Sequence, residues 1–308
     1  MQKTLVLSLL FLLEIKIKII KEKRGKPMRI NKRIIALTMA VLMVFALCAC
    51  ASNTTTSSDT NGKYEGYDST LYKVMQTGKI KVGVIGAFAP CSYVDENGEW
   101  AGYEVEVAKR IAESLGAEIE FVEVTSDTRI SSIETGKVDI CMGNSTRTLA
   151  RAQKVAFSDT LIVSSERLLV SESSDVTGIE SLKAGDKIGV TKGGTMDQEI
   201  EAIRTDLEIV YYTSPTDGVV AVKNGQCVAF AEDSNTLEYQ ASLTDGVKVV
   251  GDPLATISYN SIMLPLGDQV WLNYINEFVF ELNATGTNVE LFTQYFGNAP
   301  FTDLEPQY

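Results

Sequence analysis

Histidine is absent from all 308 residues, which removes the side chain most often used as a general base and metal ligand near neutral pH. Cysteine is scarce, with five residues. Cys48 and Cys50 fall in the N-terminal stretch, and Cys91, Cys141 and Cys227 lack the spacing of a metal site. Three is an odd number, so they cannot all pair within the chain, and free buried thiols are the simpler expectation. Positive charge is also scarce beyond the N-terminus. The first fifty residues hold ten of the 28 Lys and Arg and two of the 40 Asp and Glu, which leaves 18 and 38 for the rest, a net charge of −20. Phosphate contacts need a basic surface, so no nucleic-acid partner is expected. No repeat with a period of about 20 to 50 residues is apparent.

The N-terminal fifty residues differ in kind from the remainder and are set aside before fold reasoning. Met28-Arg29-Ile30-Asn31-Lys32-Arg33 is a basic opening, and Ile34 to Ala49 is an apolar run too short for a comfortable membrane span. Together they read as an export signal over 28–50. Residues 1–27 fit neither part of such a signal, and they are expected to be a start-site artefact, with translation beginning at Met28. Leu47-Cys48-Ala49-Cys50 resembles the bacterial lipobox. That resemblance implies cleavage before Cys50, lipidation of its thiol and anchoring at a membrane surface through acyl chains. Residues 51–66 are small and polar with nothing to bury, and are expected to be a flexible tether.

Folded sequence then begins. Lys79 to Ile85 alternates polar and apolar residues as a strand should, and Asp95-Glu96-Asn97-Gly98 makes a turn. From Tyr103 to Leu115, Val107, Ala108, Ile111, Ala112 and Leu115 form one helical stripe closed by Gly116. Ala117 to Val124 is a second alternating strand, a short helix runs through Ile130 and Ile133, and Val138 to Met142 is a third strand. This β-α-β order predicts a parallel sheet. A second pattern of the same kind follows. It comprises strands at Arg167–Val170, Lys187–Val190, Leu207–Tyr211 and Cys227–Ala231, a helix from Met196 to about Thr205, and another with Ser214 as N-cap and Pro215 at its first position. Two late helices carry Trp271, Tyr274, Ile275, Phe278, Val279 and Leu282, then Leu291, Phe292, Tyr295 and Phe296 at helical spacing, which reads as core.

Between Met142 and the next strand lies Gly143-Asn144-Ser145-Thr146-Arg147-Thr148-Leu149-Ala150-Arg151. A strand end followed by small polar residues and arginine places several donors where a carboxylate can sit, so the stretch reads as a small-anion clamp. Thr195 follows two glycines and opens a helix, where a hydroxyl and backbone N–H groups can meet an anion, or where the threonine only caps the helix. Asp233 follows the Cys227–Ala231 strand, where it sits either in a surface turn or buried with a cationic partner, since an unpaired buried acid is costly, while Glu232 beside it is expected to face solvent.

These phrases resemble one family, the bacterial extracellular solute-binding proteins of amino-acid ABC transporters. The resemblance rests on Gly102-Tyr103-Glu104-Val105-Glu106-Val107 at the opening of the first helix, Gly136-Lys137-Val138-Asp139 as a turn, and Thr146 to Arg151 followed by Ala156-Phe157-Ser158. It implies an α/β two-lobe periplasmic-binding-protein type II fold, closing on a ligand held between the lobes. Lobe 1 would be 67–164 plus 260–308 and lobe 2 would be 165–259. Arg151 and Thr146 would hold an amino acid's α-carboxylate, Thr195 would close on the same group, Asp233 would take the α-ammonium, Asn144 would contribute nearby, and Phe88 would form an aromatic wall or belong to the core.

The segment Thr125-Ser126-Asp127-Thr128-Arg129 is similar to that of glutamate- and aspartate-binding members, which implies Ser126 and Arg129 as readers of a distal carboxylate. Glutamate or aspartate is the expected ligand, and two departures keep glutamine or another polar amino acid as the alternative. Ile85 stands where enteric relatives carry a second carboxylate-reading arginine, and Pro215 falls near a ligand-contacting histidine that this chain lacks. Arg147 either supplies the missing charge or faces solvent. The resemblance implies a monomeric, non-catalytic receptor without cofactor or metal, partnered by a membrane permease and ATPase. A dehydratase-like enzyme or a ligand sensor on the same fold are the alternatives.

Overall fold

The computed structural model describes residues 68–254 and 257–300. The expectations placed on 1–27, 28–50 and 51–66, lipidation of Cys50 included, lie outside the described residues. Two five-stranded sheets organise the chain, in the orders β5-β1-β6-β13-β7 and β10-β9-β11-β8-β12. The first contains β1 (Lys79–Ile85), β5 (Glu118–Val124), β6 (Ile140–Cys141), β7 (Val155–Ser164) and β13 (Ser258–Pro265). The second contains β8 (Glu166–Ser171), β9 (Lys187–Thr191), β10 (Glu208–Tyr212), β11 (Ala229–Asp233) and β12 (Val247–Val250). A small antiparallel sheet, β2 (Ala87–Phe88), β3 (Ser92–Val94) and β4 (Trp100–Ala101), forms where the sequence shows a hairpin.

Parallel pairing, expected from the β-α-β order, holds for β5-β1-β6 and for β10-β9-β11. One strand of each sheet runs against these: β13 pairs antiparallel with both β6 and β7, and β8 with both β11 and β12. Their direction has a simple cause: they carry the chain across. After β7 the chain turns at Ser165 and continues as β8 in the second sheet, and after β12 it returns as β13 to the first.

The helices begin and end where local chemistry asks. In α1 (Thr70–Thr77) the Ser69 hydroxyl accepts from the Leu71 N–H, and Gly78 at φ 64° ends the helix. The run α2 (Tyr103–Ser114) stops just before Gly116, and α3 (Arg129–Glu134) and α4 (Leu149–Ala152) are short. In the second half lie α5 (Met196–Ile203), α6 (Pro215–Lys223), whose Ser214 hydroxyl accepts from the Asp217 N–H, and α7 (Ser234–Leu243). The late pair, α8 (Gln269–Ala284) and α9 (Thr287–Phe296), returns to the first sheet.

Tyr103, Trp271, Ile275, Val279, Phe292 and Phe296 join one core with β1 and β6, as the helical stripes predict. Each large apolar side chain so buried contributes about 1.5–3 kcal/mol. The second sheet is covered on both faces. Leu168, Val170, Ile188 and Val190 pack with Met196 and Ile200 of α5 on one side, while Leu169 and Phe230 pack with Val219, Val222 and Leu237 of α6 and α7 on the other. Gly218 permits the second contact, since a Cβ there would meet the Phe230 ring at 2.1 Å. The central strand β11 is consequently buried along its whole length.

Candidate functional site

The clamp loop is held from two sides. Glu104, in the first turn of α2, is buried, and its carboxylate accepts from the Gly143 N–H (2.9 Å) and the Asn144 N–H (2.7 Å). From the opposite side Arg129 donates Nη1 to the Gly143 carbonyl (2.5 Å) and at longer range to that of Asn144. So fixed, Asn144 adopts φ 46°, a left-handed conformation that asparagine tolerates better than most residues. Its Nδ2 then donates to Asp233 Oδ2, and its Oδ1 accepts from Asn260 Nδ2 at 2.9 Å. Thr146 pairs with Asn260 as an isolated bridge, tying the loop to β13.

Two arginines of the first half, Arg151 and Arg129, reach into the second. Arg151 lies buried in α4, where Nη1 donates to the Thr146 carbonyl (2.9 Å) and Nη2 to the carbonyls of Gly193 and Gly194 (2.9 Å each). Arg129 Nη2 also donates to Gly193 O (3.1 Å), and its Nε is buried without a partner. The Gly193 turn sits so close that a Cβ there would lie 2.7 Å from the Ser126–Asp127 backbone. At the rim, Lys192 Nζ is 2.8 Å from Asp127 Oδ2. The two halves are therefore in contact across the cleft.

Opposite the arginines stand carboxylates. Asp233 is buried, with Oδ2 accepting from Asn144 and, at 3.4 Å, from Asn260, and with Oδ1 unpartnered. Glu232 does not face solvent as expected, and is 3% exposed. The reason is the two-sided cover of β11, which leaves no outward face for alternation to fill. Glu232 Oε2 accepts from Thr191 Oγ1 (2.5 Å), and Oε1 accepts from the Asp233 N–H (3.1 Å). Behind them, Glu166 pairs in register with Asp233 and accepts from Ser258 Oγ. Burial, then repulsion from Glu232 and Glu166, pushes the Asp233 carboxyl well above its ordinary range. Burial also raises Glu232 and lowers Arg151 to about 9.

Phe88, Ser126, Arg129, Asn144, Thr146, Thr195 and Asp233 line one cavity, together with Thr191, Gly194, Met196 and Glu232. Arg151 stands beside it through Thr146 and Gly194. Thr195 occupies the N-cap position of α5, where its side chain makes no capping hydrogen bond to the backbone and its Oγ1 donates instead to Met196 Sδ at 3.8 Å. Phe88 is buried at 3% exposure and also belongs to the first core. Arg147 is exposed, and Pro215, at the first position of α6, is not among the cavity's lining residues. The space left between these residues has room for about one water. A molecule larger than water reaches these residues only when the halves part.

The sequence reading missed Glu104 and Glu232. Glu104 looks like an acid placed for a helix N-terminus, and only the loop folded over it shows its use. The signal for Glu232 was its position beside Asp233 in a strand of continuous small and apolar residues.

The sequence profile of the bacterial extracellular solute-binding proteins, family 3, matches residues 80–298. A glutamine-binding protein of Geobacillus stearothermophilus is 30% identical over 234 residues, 72% of this chain and 87% of that protein. The glutamate/aspartate import solute-binding protein of Escherichia coli is 26% identical over 245 residues, 75% and 80% of the two chains. Among solved structures, an ancestral amino acid-binding protein, a precursor of cyclohexadienyl dehydratase, superposes with a TM-score of 0.70 at 31% identity, covering 74% of this chain and all of that one.

Proposed function

The chain belongs to the bacterial extracellular solute-binding proteins, family 3, and from that premise we propose that it is the extracytoplasmic receptor of an ABC importer for polar L-amino acids. One observation carries the reading. Across a single cleft, Arg151 presents paired guanidinium donors and Asp233 presents a buried oxygen without a partner. That is the charge pattern of a zwitterion, in which the α-carboxylate replaces the Gly193 and Gly194 carbonyls on Arg151 and the α-ammonium meets Asp233 Oδ1. Thr146, Thr195 and Asn144 complete this end of the site.

The distal end belongs to Ser126 and Arg129, with Phe88 as a wall. A guanidinium donates to a carboxylate and to an amide carbonyl alike, the carboxylate more strongly, so glutamate, aspartate and glutamine all offer Arg129 an acceptor. The similarity to glutamine and glutamate/aspartate binders alike supports that range. Among the described residues no helix is long and apolar enough to cross a membrane. The receptor acts as a monomer, anchored through lipid on Cys50, and hands its ligand to a membrane permease driven by an ATPase. Cys50→Ser should abolish labelling by radioactive palmitate and release the protein from membranes.

A thermal-shift screen of the twenty amino acids tests the receptor reading. A ligand at 100 times its dissociation constant stabilises by about 2.7 kcal/mol. A melt that no amino acid moves would remove the proposal. Following the bound ligand by NMR for hours separates receptor from enzyme: it should be recovered unchanged.

A further inference from the structure

We propose that Glu232 makes the distal end of this cleft select a side-chain amide over a carboxylate. The inference rests on the receptor reading and names its substrate class: a neutral amino acid whose side chain offers one acceptor and one donor, as glutamine does.

The argument starts from the wall opposite Arg129. Arg129 and Glu232 line the same cavity. Arg129 has donors to give: one guanidinium nitrogen, Nε, is buried with no partner, and Nη2 is held only by a carbonyl from across the cleft. Glu232 has the reverse capacity. Each of its oxygens accepts one hydrogen bond, from Thr191 and from the Asp233 N–H. A carboxylate has about four acceptor sites, so about two remain. An amide matches both neighbours at once, its carbonyl accepting from Arg129 and its NH₂ donating to Glu232.

A distal carboxylate has no proton to give Glu232, and it brings a third negative charge beside Glu232 and Asp233. Those two are already neighbours in one strand, with Glu166 paired to Asp233 from the next. Like charges at short range in a shielded site disfavour one another strongly. A site whose buried acceptor goes unmatched also rejects the ligand that lacks the donor. Ser126 adds a hydroxyl that serves either ligand, while the Thr191 hydroxyl proton is already given to Glu232, so the choice falls to Glu232.

Calorimetry on the purified protein with L-glutamine, L-glutamate and the γ-methyl ester of glutamate tests this. The ester keeps the side-chain carbonyl but lacks the donor. Wild type should bind glutamine at least fivefold more tightly than either of the others. Glu232→Gln, which supplies its own NH₂, should bring the glutamine-to-glutamate ratio down at least fivefold while still binding both. A wild-type ratio below five for either comparison overturns the proposal, as does a Glu232→Gln protein that weakens both amino acids equally. Should that variant not fold, the ester comparison on wild type still decides. If neither these ligands nor any other amino acid binds, it is the receptor reading that falls. If another amino acid binds and these do not, only the amide inference falls.

Discussion

The two walls of the cleft solve opposite problems. On the first, the guanidinium groups of Arg129 and Arg151 place their terminal nitrogens on backbone carbonyls, several of them borrowed from Gly193 and Gly194 across the gap. On the second, Asp233, Glu232 and Glu166 form a buried run of acids in which Asp233 Oδ1 and Glu166 Oε2 have no partner. The donors can be released by parting the halves and resolvated at little cost. The acids are fixed in β11 and β8 and carry their mutual repulsion in every state. Parting the halves thus frees the arginines, and a cation relieves the acids, and a zwitterion does both.

That contrast is most sharply tested by exchanging one residue on each wall. Arg151→Ala removes two or more charge-assisted hydrogen bonds at about 1.5–3 kcal/mol each, so affinity for every amino acid should fall more than a hundredfold. Asp233→Asn should lose affinity on a similar scale. The melting temperatures should diverge, however. Asp233→Asn relieves repulsion from Glu232 and Glu166 and should raise the melt of the ligand-free protein by about 2–4 °C, the shift for about 1 kcal/mol at this size, whereas Arg151→Ala should not raise it. A lowered melt for Asp233→Asn, measured by differential scanning calorimetry, would mean that the acid wall is not strained by its charge.

Next in size is the contact that brings the walls together. Gly193 has φ 82°, and a Cβ would meet the Asp127 backbone at 2.7 Å. Gly193→Ala should leave each sheet folded, at a cost of about 1–2 kcal/mol for the left-handed conformation, but hold the cleft ajar. The expected result is at least tenfold weaker binding of all ligands and no ligand-dependent decrease in the radius of gyration by small-angle scattering. Wild-type compaction in this variant would show that the Gly193 turn need not approach Ser126 and Asp127 so closely.

The two walls also differ in how much of them could be read from sequence. Arg151 and Thr146 announce themselves by residue type after a strand end, Asp233 through the family resemblance, and the structure brings all three to one cleft. Glu232 reads from sequence only as the solvent-facing neighbour of Asp233. Ala229–Asp233 instead lies between β9 and β8 with helices on both sides, so neither odd nor even positions reach water. Glu104 was invisible for a different reason. Its partners, the Gly143 and Asn144 N–H groups, are some forty residues away in sequence. Strands fared better, because Lys79–Ile85 and Glu118–Val124 carry their pattern locally, whereas the two-residue β6 shows that five apolar-leaning positions, Val138 to Met142, do not ensure five paired ones.

Smaller again is an effect of pH that belongs to the acid wall alone. Glu199 in α5 is raised from its ordinary 4.5 to about 7, first by burial and then by Glu166 nearby. The folded protein therefore holds this proton more tightly than the unfolded chain does. Between about pH 4.5 and about pH 7 stability falls as pH rises, and above that range the contribution is constant. Glu199→Gln should flatten this part of the stability profile in urea titrations. An unchanged slope would assign it to Asp233, Glu232 and Glu166, which are shifted in the same direction.

The smallest expected effect tests whether charge at the rim matters at all beside charge within. Lys192 and Asp127 form the one ion pair among the described residues that joins the Gly193 turn to the Ser126 loop, at 2.8 Å, and their side chains are 62% and 50% exposed. It forms only when the cleft is closed, so it acts on the closing equilibrium and not on the fold of either half. An exposed pair contributes at most about 1 kcal/mol and loses most of that to salt. Lys192→Met should therefore weaken ligand binding no more than about fivefold in low salt and leave it within twofold of wild type at about 0.5 M NaCl. A larger or salt-insensitive loss would give the rim pair a share of the work assigned to the buried arginines, and would move the division between the two walls outward to the surface.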